Sequence, residues 1–407
     1  MRSLIAATLL LTAAPTVAAA DGLLAAAAAA RPDQLRLLES VVNIDSGTGD
    51  VDGGRKVIAV LAPRLTALDA TIETVPAEAA GLPDNIVAVV RGTGKARILM
   101  IGHIDTVFGP GTVAKRPFAN DGTRLHGPGV GDEKGGVVEG IMALQLLHDA
   151  RFTDFASITL LIETSEERGS PGTRRLIDRL LNTADVELNL EPGDAPDKLT
   201  VWRKSSTVVT IDVTGRAAHA GVAPQDGRNA AVELLHQLQG YDKFPHTGDQ
   251  TTVNLTLLSA GTRNNIIPDH ATATFSVRAR TVAAADAVLA QLEATAKTIA
   301  VPGTTVTIGH EPAFPPLAEN PATAALAARA AKLYAVTGRT IGTGGNGGAS
   351  ESAMAAARGV PALDGLGPIG GGFHSDGEFV QLASVTPRLY LLAALLRDIA
   401  TNGVPAH

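Results

Sequence analysis

The chain of 407 residues contains no cysteine. That absence excludes disulfide staples, thiolate metal sites and a cysteine nucleophile, but it assigns no redox compartment. A basic excess is also missing. The formal charge is −7, which gives no electrostatic reason to expect nucleic acid or an anionic membrane as a partner. No internal repeat is found. What is present is a globular composition, 45% hydrophobic and 18% charged, with glycine and proline plentiful but dispersed. The length exceeds one ordinary core, so two domains are expected.

The N-terminal stretch MRSLIAATLLLTAAPTVAAADG has one positive charge, an apolar run from Leu4, and small residues at Ala18–Ala20 before Asp21. This is the layout of a secretory signal, and residues 1–20 are expected to be cleaved near Ala20. Pro15 and the short apolar span argue against a membrane anchor. Export to the periplasm or medium is the expectation.

Farther on, DQLRLLESVVNI and GRKVIAVLAPRLTAL carry helical spacing of apolar residues, and EKGGVVEGIMALQLLHDA reads as a long helix. NIVAVVRG, ARILMIGHI, ASITLLIE and VELNL are short aliphatic runs suited to buried strands. Strands alternating with helices predict an α/β fold, with a mixed, mostly parallel sheet covered by helices on both faces. From Val201 the order changes to β-α-β-β-α-β, which predicts an inserted ferredoxin-like α+β unit at 201–309. The catalytic domain is then expected in two parts, 21–200 and 310–407. Its second part opens on a helix with Asn320 as N-cap and Pro321 at the first position. The stretch GTGGNGGAS at 342–350 reads as a flexible loop.

Several acids and histidines stand where apolar strands or glycine-rich turns end: His103 with Asp105, Asp132, the Glu166–Glu167 pair, and Glu191. His374 stands in a loop near the C-terminus. Taken singly, each has a plain structural role: a surface ion pair, a helix cap, a solvated loop edge, a turn residue, an exposed loop histidine. Taken together, they converge, because strand ends in an open α/β sheet meet at one crevice. Two histidines and several carboxylates without cysteine suit zinc or cobalt in a hydrolytic site. One carboxylate between two metals, with one histidine and one carboxylate more on each, uses five residues. A sixth is left to move protons. His126, His148 and His236 lack such settings and read as structural.

The segments GHIDTV, GPGVGDEKGG, EERGSPG, LEPG, AAHAGVAP, NNIIP and FHSD occur in the order found in the cocatalytic zinc exopeptidases related to glutamate carboxypeptidase and the aminoacylases. The likeness, strongest to the bacterial folate-cleaving group, extends over nearly all the mature protein. The resemblance implies two zinc ions per chain, with cobalt as a substitute. It makes Asp132 the bridging ligand, His103 and Glu191 the ligands of one ion, and Glu167 and His374 those of the other. It implies Glu166 as general base, with Asp105 holding the His103 ring. It also implies a homodimer through the inserted domain, in which His219 reaches the neighbouring subunit's active site. Asn265 and Arg278, taken as neighbours, match positions associated with the substrate's terminal carboxylate.

Two departures touch specificity. Glu351-Ser352 replaces the family's common Asp-Ala pair beside the pocket, and Gly309-His310-Glu311 stands where the folate-cleaving relatives carry arginines. The expected activity is hydrolysis, by a metal-bridged hydroxide, of an amide bond next to a C-terminal residue with a free carboxylate. The substrate is then a small peptide or an N-acyl amino acid. An N-acyl amino acid deacylase is the alternative within enzymes, and a non-catalytic metal-dependent binding protein is the alternative outside them.

Overall fold

The structure is a computed structural model that describes residues 16–404. Most of the signal-like segment, residues 1–15, lies outside the described residues. The first helix, Thr16–Val42, takes in the alanine-rich lead as well as the amphipathic stretch after it. Its Leu23, Ala27, Leu38 and Val41 are buried in the main core.

Six strands form the large sheet, in the order Thr71–Val75, Asn85–Arg91, Ser157–Glu163, Arg97–His103, Val186–Asn189 and Ala362–Leu363. The first two pairings are antiparallel and the remaining three parallel. Alternation along Arg97–His103 shows why both faces are covered. Ile98 and Met100 enter the core formed with Lys134–Asp149, Val385–Asn402 and the first helix, whereas Leu99 and Ile101 pack with Leu176, Ile177 and Met354 on the other face. The helix Lys134–Asp149 is apolar almost all round and buried from Lys134 to Leu144. It passes so close to the sheet that a Cβ at Gly136 would collide with the Leu190 carbonyl. The following Asn320 accepts from the Thr323 N–H and caps the helix Pro321–Tyr334.

The second sheet has the order Thr252–Ala260, His270–Arg278, Ser206–Thr214 and Thr305–Phe314, with every pairing antiparallel. The helices Ala230–Gln237 and Val282–Ala296 cover one face and close a separate core around Val209, Ile211, Phe275, Leu234 and Val288. This is a ferredoxin-like arrangement inserted between the strands of the large sheet.

The glycine-rich stretch is not a plain loop. Gly342–Asn346 forms a strand that pairs in parallel with Lys198–Arg203. A Cβ at Gly345 would run into Trp202, so the composition that resembled flexibility permits a close backbone approach. Among the described residues no helix is long and apolar enough to cross a membrane.

Candidate metal centre

The parallel strands of the large sheet end side by side, and the turns that leave them carry the reactive groups. His103 is the last residue of its strand and is 1% exposed. Its Nε2 lies 3.1 Å from Asp132 Oδ1 and 3.6 Å from Glu191 Oε1. His374 Nε2 lies 3.3 Å from Asp132 Oδ2 and 3.0 Å from Glu167 Oε2. Two groups of possible ligand atoms result, His103–Asp132–Glu191 and Asp132–Glu167–His374, each within 4.8 Å. Asp132 belongs to both and offers one oxygen to each.

Asp105 is buried beneath this centre. His103 Nδ1 lies 2.9 Å from its carbonyl oxygen and 3.4 Å from its Oδ1. The same carboxylate accepts from the backbone N–H groups of Glu166 and Glu167 at 3.1 and 3.3 Å, and from the Thr48 hydroxyl at 2.7 Å. One residue therefore holds the imidazole, chiefly through its backbone carbonyl, and with its carboxylate the turn that presents the glutamate pair. Glu166 Oε2 is 3.9 Å from His103 Nε2.

The electrostatics are those of acids crowded without enough cations. Burial pushes Glu166 well above the usual carboxylate range. Burial and the Asp132 charge push Glu191 up to about 7. Hydrogen bonds to Asp132 and Glu167 raise His374 to about 10. A divalent cation in each group would replace those protons, since such ligands bind as ionised carboxylates and neutral imidazoles. Nitrogen and oxygen donors without thiolate fit zinc or a similar ion.

Several supporting residues were invisible in the sequence. Glu378 is buried and accepts from the N–H groups of Gly129, Gly131 and Asp132, shaping the turn that presents Asp132. Glu133 accepts from the His103 N–H at 2.9 Å. Arg203 is held by Asp364 at 2.6 and 2.7 Å and reaches Glu191 at 3.2 Å. Acids within known motifs could have suggested Glu133 and Glu378. Nothing around Arg203 marks it.

The expected neighbour of the pocket at Glu351 turns out to lie behind it. Glu351 is 2% exposed and accepts from the Ser170 hydroxyl at 3.0 Å and the Asn189 amide at 3.1 Å. Asn189 in turn accepts from the Glu191 N–H at 3.0 Å. Ser352 donates to buried Glu187. The departure thus ties the Glu166–Glu167 turn to the Glu191 turn and does not line the cleft.

Arg278 does line it. A cleft of about 670 Å³ joins Asp132, Glu166, Glu167, Glu191 and His374 to Arg278 at the end of its strand. Asn265 is not beside Arg278, contrary to expectation. It lies next to the ribbon in which His219 pairs with Ile266, and its carbonyl accepts from the Ala220 N–H. That ribbon follows Thr214, the partner of His270. Arg278 is at the opposite end of the same strand, about 27 Å away at the usual rise per residue. His219 and Asn265 are both exposed. Glu311 is exposed on the edge strand opposite Val208, a residue of the cleft rim.

The model of Peptidase family M20/M25/M40 matches residues 99–398. The chain belongs to this family. Carboxypeptidase G2 of Pseudomonas sp. (strain RS-16) is 34% identical to this M20 chain over 375 residues, 91% of the chain and 90% of the relative. Succinyl-diaminopimelate desuccinylase of Methylobacterium radiotolerans is 28% identical over 265 residues, 60% of the chain and 66% of the relative. Among solved structures, the M20 family metallo-carboxypeptidase Sso-CP2 from Sulfolobus solfataricus has a TM-score of 0.74 at 16% identity, covering 90% of this chain and 99% of that one. This M20 chain is a metallopeptidase of the carboxypeptidase type.

Proposed function

We propose that the enzyme is an exported, two-zinc exopeptidase that hydrolyses the amide bond before a C-terminal residue with a free carboxylate. The observation that carries this reading is the single cleft shared by both ligand groups, Glu166 and Arg278. When bound, two divalent ions supply Lewis-acid polarisation of a carbonyl and acidify water. His103, Asp132 and Glu191 would hold one ion, and Asp132, Glu167 and His374 the other. Asp105 fixes the His103 ring and the turn of the glutamate pair. Glu166 takes the proton released when water adds to the carbonyl carbon, and delivers it to the departing amine nitrogen. The C–N bond breaks, a new C–O bond remains, and the products are an acid and an amine. Arg278 receives the terminal carboxylate of the leaving residue, a role suited to a guanidinium fork.

His219 and Asn265 are too distant to serve their own cleft and are assigned to that of a partner subunit in a homodimer built on the inserted domain. Supporting this, the edge strand Thr252–Ala260 exposes Leu257 and Leu258, and the nearby helix exposes Val232 and Leu235. The similarity to a desuccinylase favours a second reading, an N-acyl amino acid deacylase.

The test is kcat/KM on purified, zinc-loaded protein for substrates sharing one acyl group and differing in the C-terminal residue. Dipeptides and folates beside simple N-acyl amino acids separate the two readings. Arg278→Ala is expected to lower kcat/KM about 10- to 100-fold for every substrate with a free terminal carboxylate, as loss of a charge-assisted pair does. Glu311, paired with the rim residue Val208, adds negative charge next to the cleft and disfavours a second carboxylate, so neutral or apolar C-terminal residues are expected to be cleaved at least as well as glutamate. A tenfold preference for glutamate, or an Arg278→Ala enzyme as active as its parent, would refute these assignments.

A further inference from the structure

A second groove, of about 810 Å³, meets the metal cleft at Glu167 and Arg168. Its walls come from the turn before the helix Val51–Thr66 and from the loop after His103, with Val51, Val107, Phe108 and Pro110 supplying apolar surface. Nothing in the reaction described above uses it. If Arg278 holds the carboxylate end of a substrate and the scissile amide lies among Asp132, Glu166 and Glu167, the acyl end lies on the other side of the amide from Arg278, and this groove adjoins the cleft there at Glu167 and Arg168. We propose, resting on that reading of the cleft, that the groove is the subsite for the acyl half of the substrate, and that it selects an uncharged, aromatic or branched apolar acyl group.

Three observations fix the chemistry. Val107 is 44% exposed beside a catalytic cleft, an open apolar surface where a ligand would cover it. The Phe108 ring is braced: the Arg116 guanidinium carbon stands 4.4 Å from its centroid, and Arg116 donates to the Ser375 carbonyl in the His374 loop at 2.9 Å. The ring is thereby held in place and loses little freedom when a second ring packs against it. The charge is adverse to anions, because three carboxylates, Asp50, Asp52 and Glu167, line the groove against one cation, Arg168. The groove is also tied to the reaction centre, since Thr48 in its wall donates to Asp105.

The test compares N-benzoyl-, N-acetyl- and N-succinyl-alanine. Dissociation constants are measured by calorimetry on the zinc-loaded full chain carrying Glu166→Gln, in which turnover is too slow to consume the ligand during a titration, and kcat/KM is measured on the parent. The benzoyl compound is expected to bind about tenfold more tightly than the acetyl compound, and the succinyl compound no better than acetyl. Adding Phe108→Ala should bring the benzoyl-to-acetyl ratio near one. Val107→Asp, at a position 44% exposed, should weaken benzoyl binding about tenfold by placing a fourth carboxylate beside Asp50, Asp52 and Glu167. Equal binding of all three compounds, a ratio unchanged by Phe108→Ala, or a preference for succinyl would overturn the subsite. The binding ratio does not depend on turnover. A protein that shows it yet cleaves none of the three retains the subsite and loses the proposed hydrolysis.

Discussion

Glu166 and Glu167 are adjacent in sequence and lie on one short turn, yet their surroundings differ. Glu167 contacts His374 at 3.0 Å in the second ligand group, whereas Glu166 belongs to neither group and lies beside His103. Glu166→Gln is therefore expected to leave metal content unchanged while kcat falls about 100-fold or more, the usual weight of a general base. Glu167→Gln should lower metal content, measured by atomic emission on dialysed protein. Equal loss of metal in both variants would show that the two roles are wrongly assigned. About two zinc ions per parent chain are expected, as in paired-metal sites, and their retention should weaken in acid as imidazoles and carboxylates protonate.

Single elements carry the geometry that these residues need. Glu351 spans from Ser170 to Asn189 and so sets the distance between two ligand-bearing turns. Glu351→Asp keeps the charge but shortens the reach by one methylene. Its kcat should fall about 10- to 100-fold with KM nearly unchanged, because small misplacements of a reacting group are costly. Glu351→Gln keeps the reach and should retain more of the rate, and the reverse ranking would show that charge, not span, matters. In the inserted domain, buried Glu233 accepts from the Ala300 and Val301 N–H groups, the Gln237 amide and the Thr304 hydroxyl. Burial opposes its ionisation, but those donors hold its carboxyl below the ordinary range. Its contribution is then complete above the unfolded carboxylate value of about 4.3 and is lost as pH falls through the lower folded value. Glu233→Gln should cost about 1–3 kcal/mol at pH 7 and flatten the acid side of the stability–pH curve, as read by urea unfolding.

The strands ending at His103 and Glu163 were legible because aliphatic runs have few other uses. The acids of the candidate centre could be picked out because each stands where such a run or a glycine-rich turn ends. The Arg203–Asp364 pair was not, since its members are 161 residues apart and no local period records a contact of that range. The strand at Gly342–Asn346 was misread for a related reason: its composition answers to Trp202 on a neighbouring strand, not to the segment itself.

At the scale of the whole molecule, the separation between His219 and Arg278 makes assembly a testable part of function. Glu166→Gln chains mixed with His219→Ala chains should regain activity after subunit exchange, because one of the two sites in a mixed dimer would carry both intact groups. No recovery despite demonstrated exchange would place His219 outside the reaction. The insertion also sets an order of events during synthesis. The four-stranded unit closes its core with residues no later than Leu292 and its last strand at Phe314, so it can fold as soon as that stretch has emerged from the ribosome. The surrounding domain cannot. Its sixth strand arrives with Ala362–Leu363, and the second ligand group lacks His374 until almost the entire chain has been made. The second ligand group is accordingly complete only in the nearly finished polypeptide, and a nascent chain halted between residues 314 and 374 would carry a folded insert beside a centre that still lacks His374.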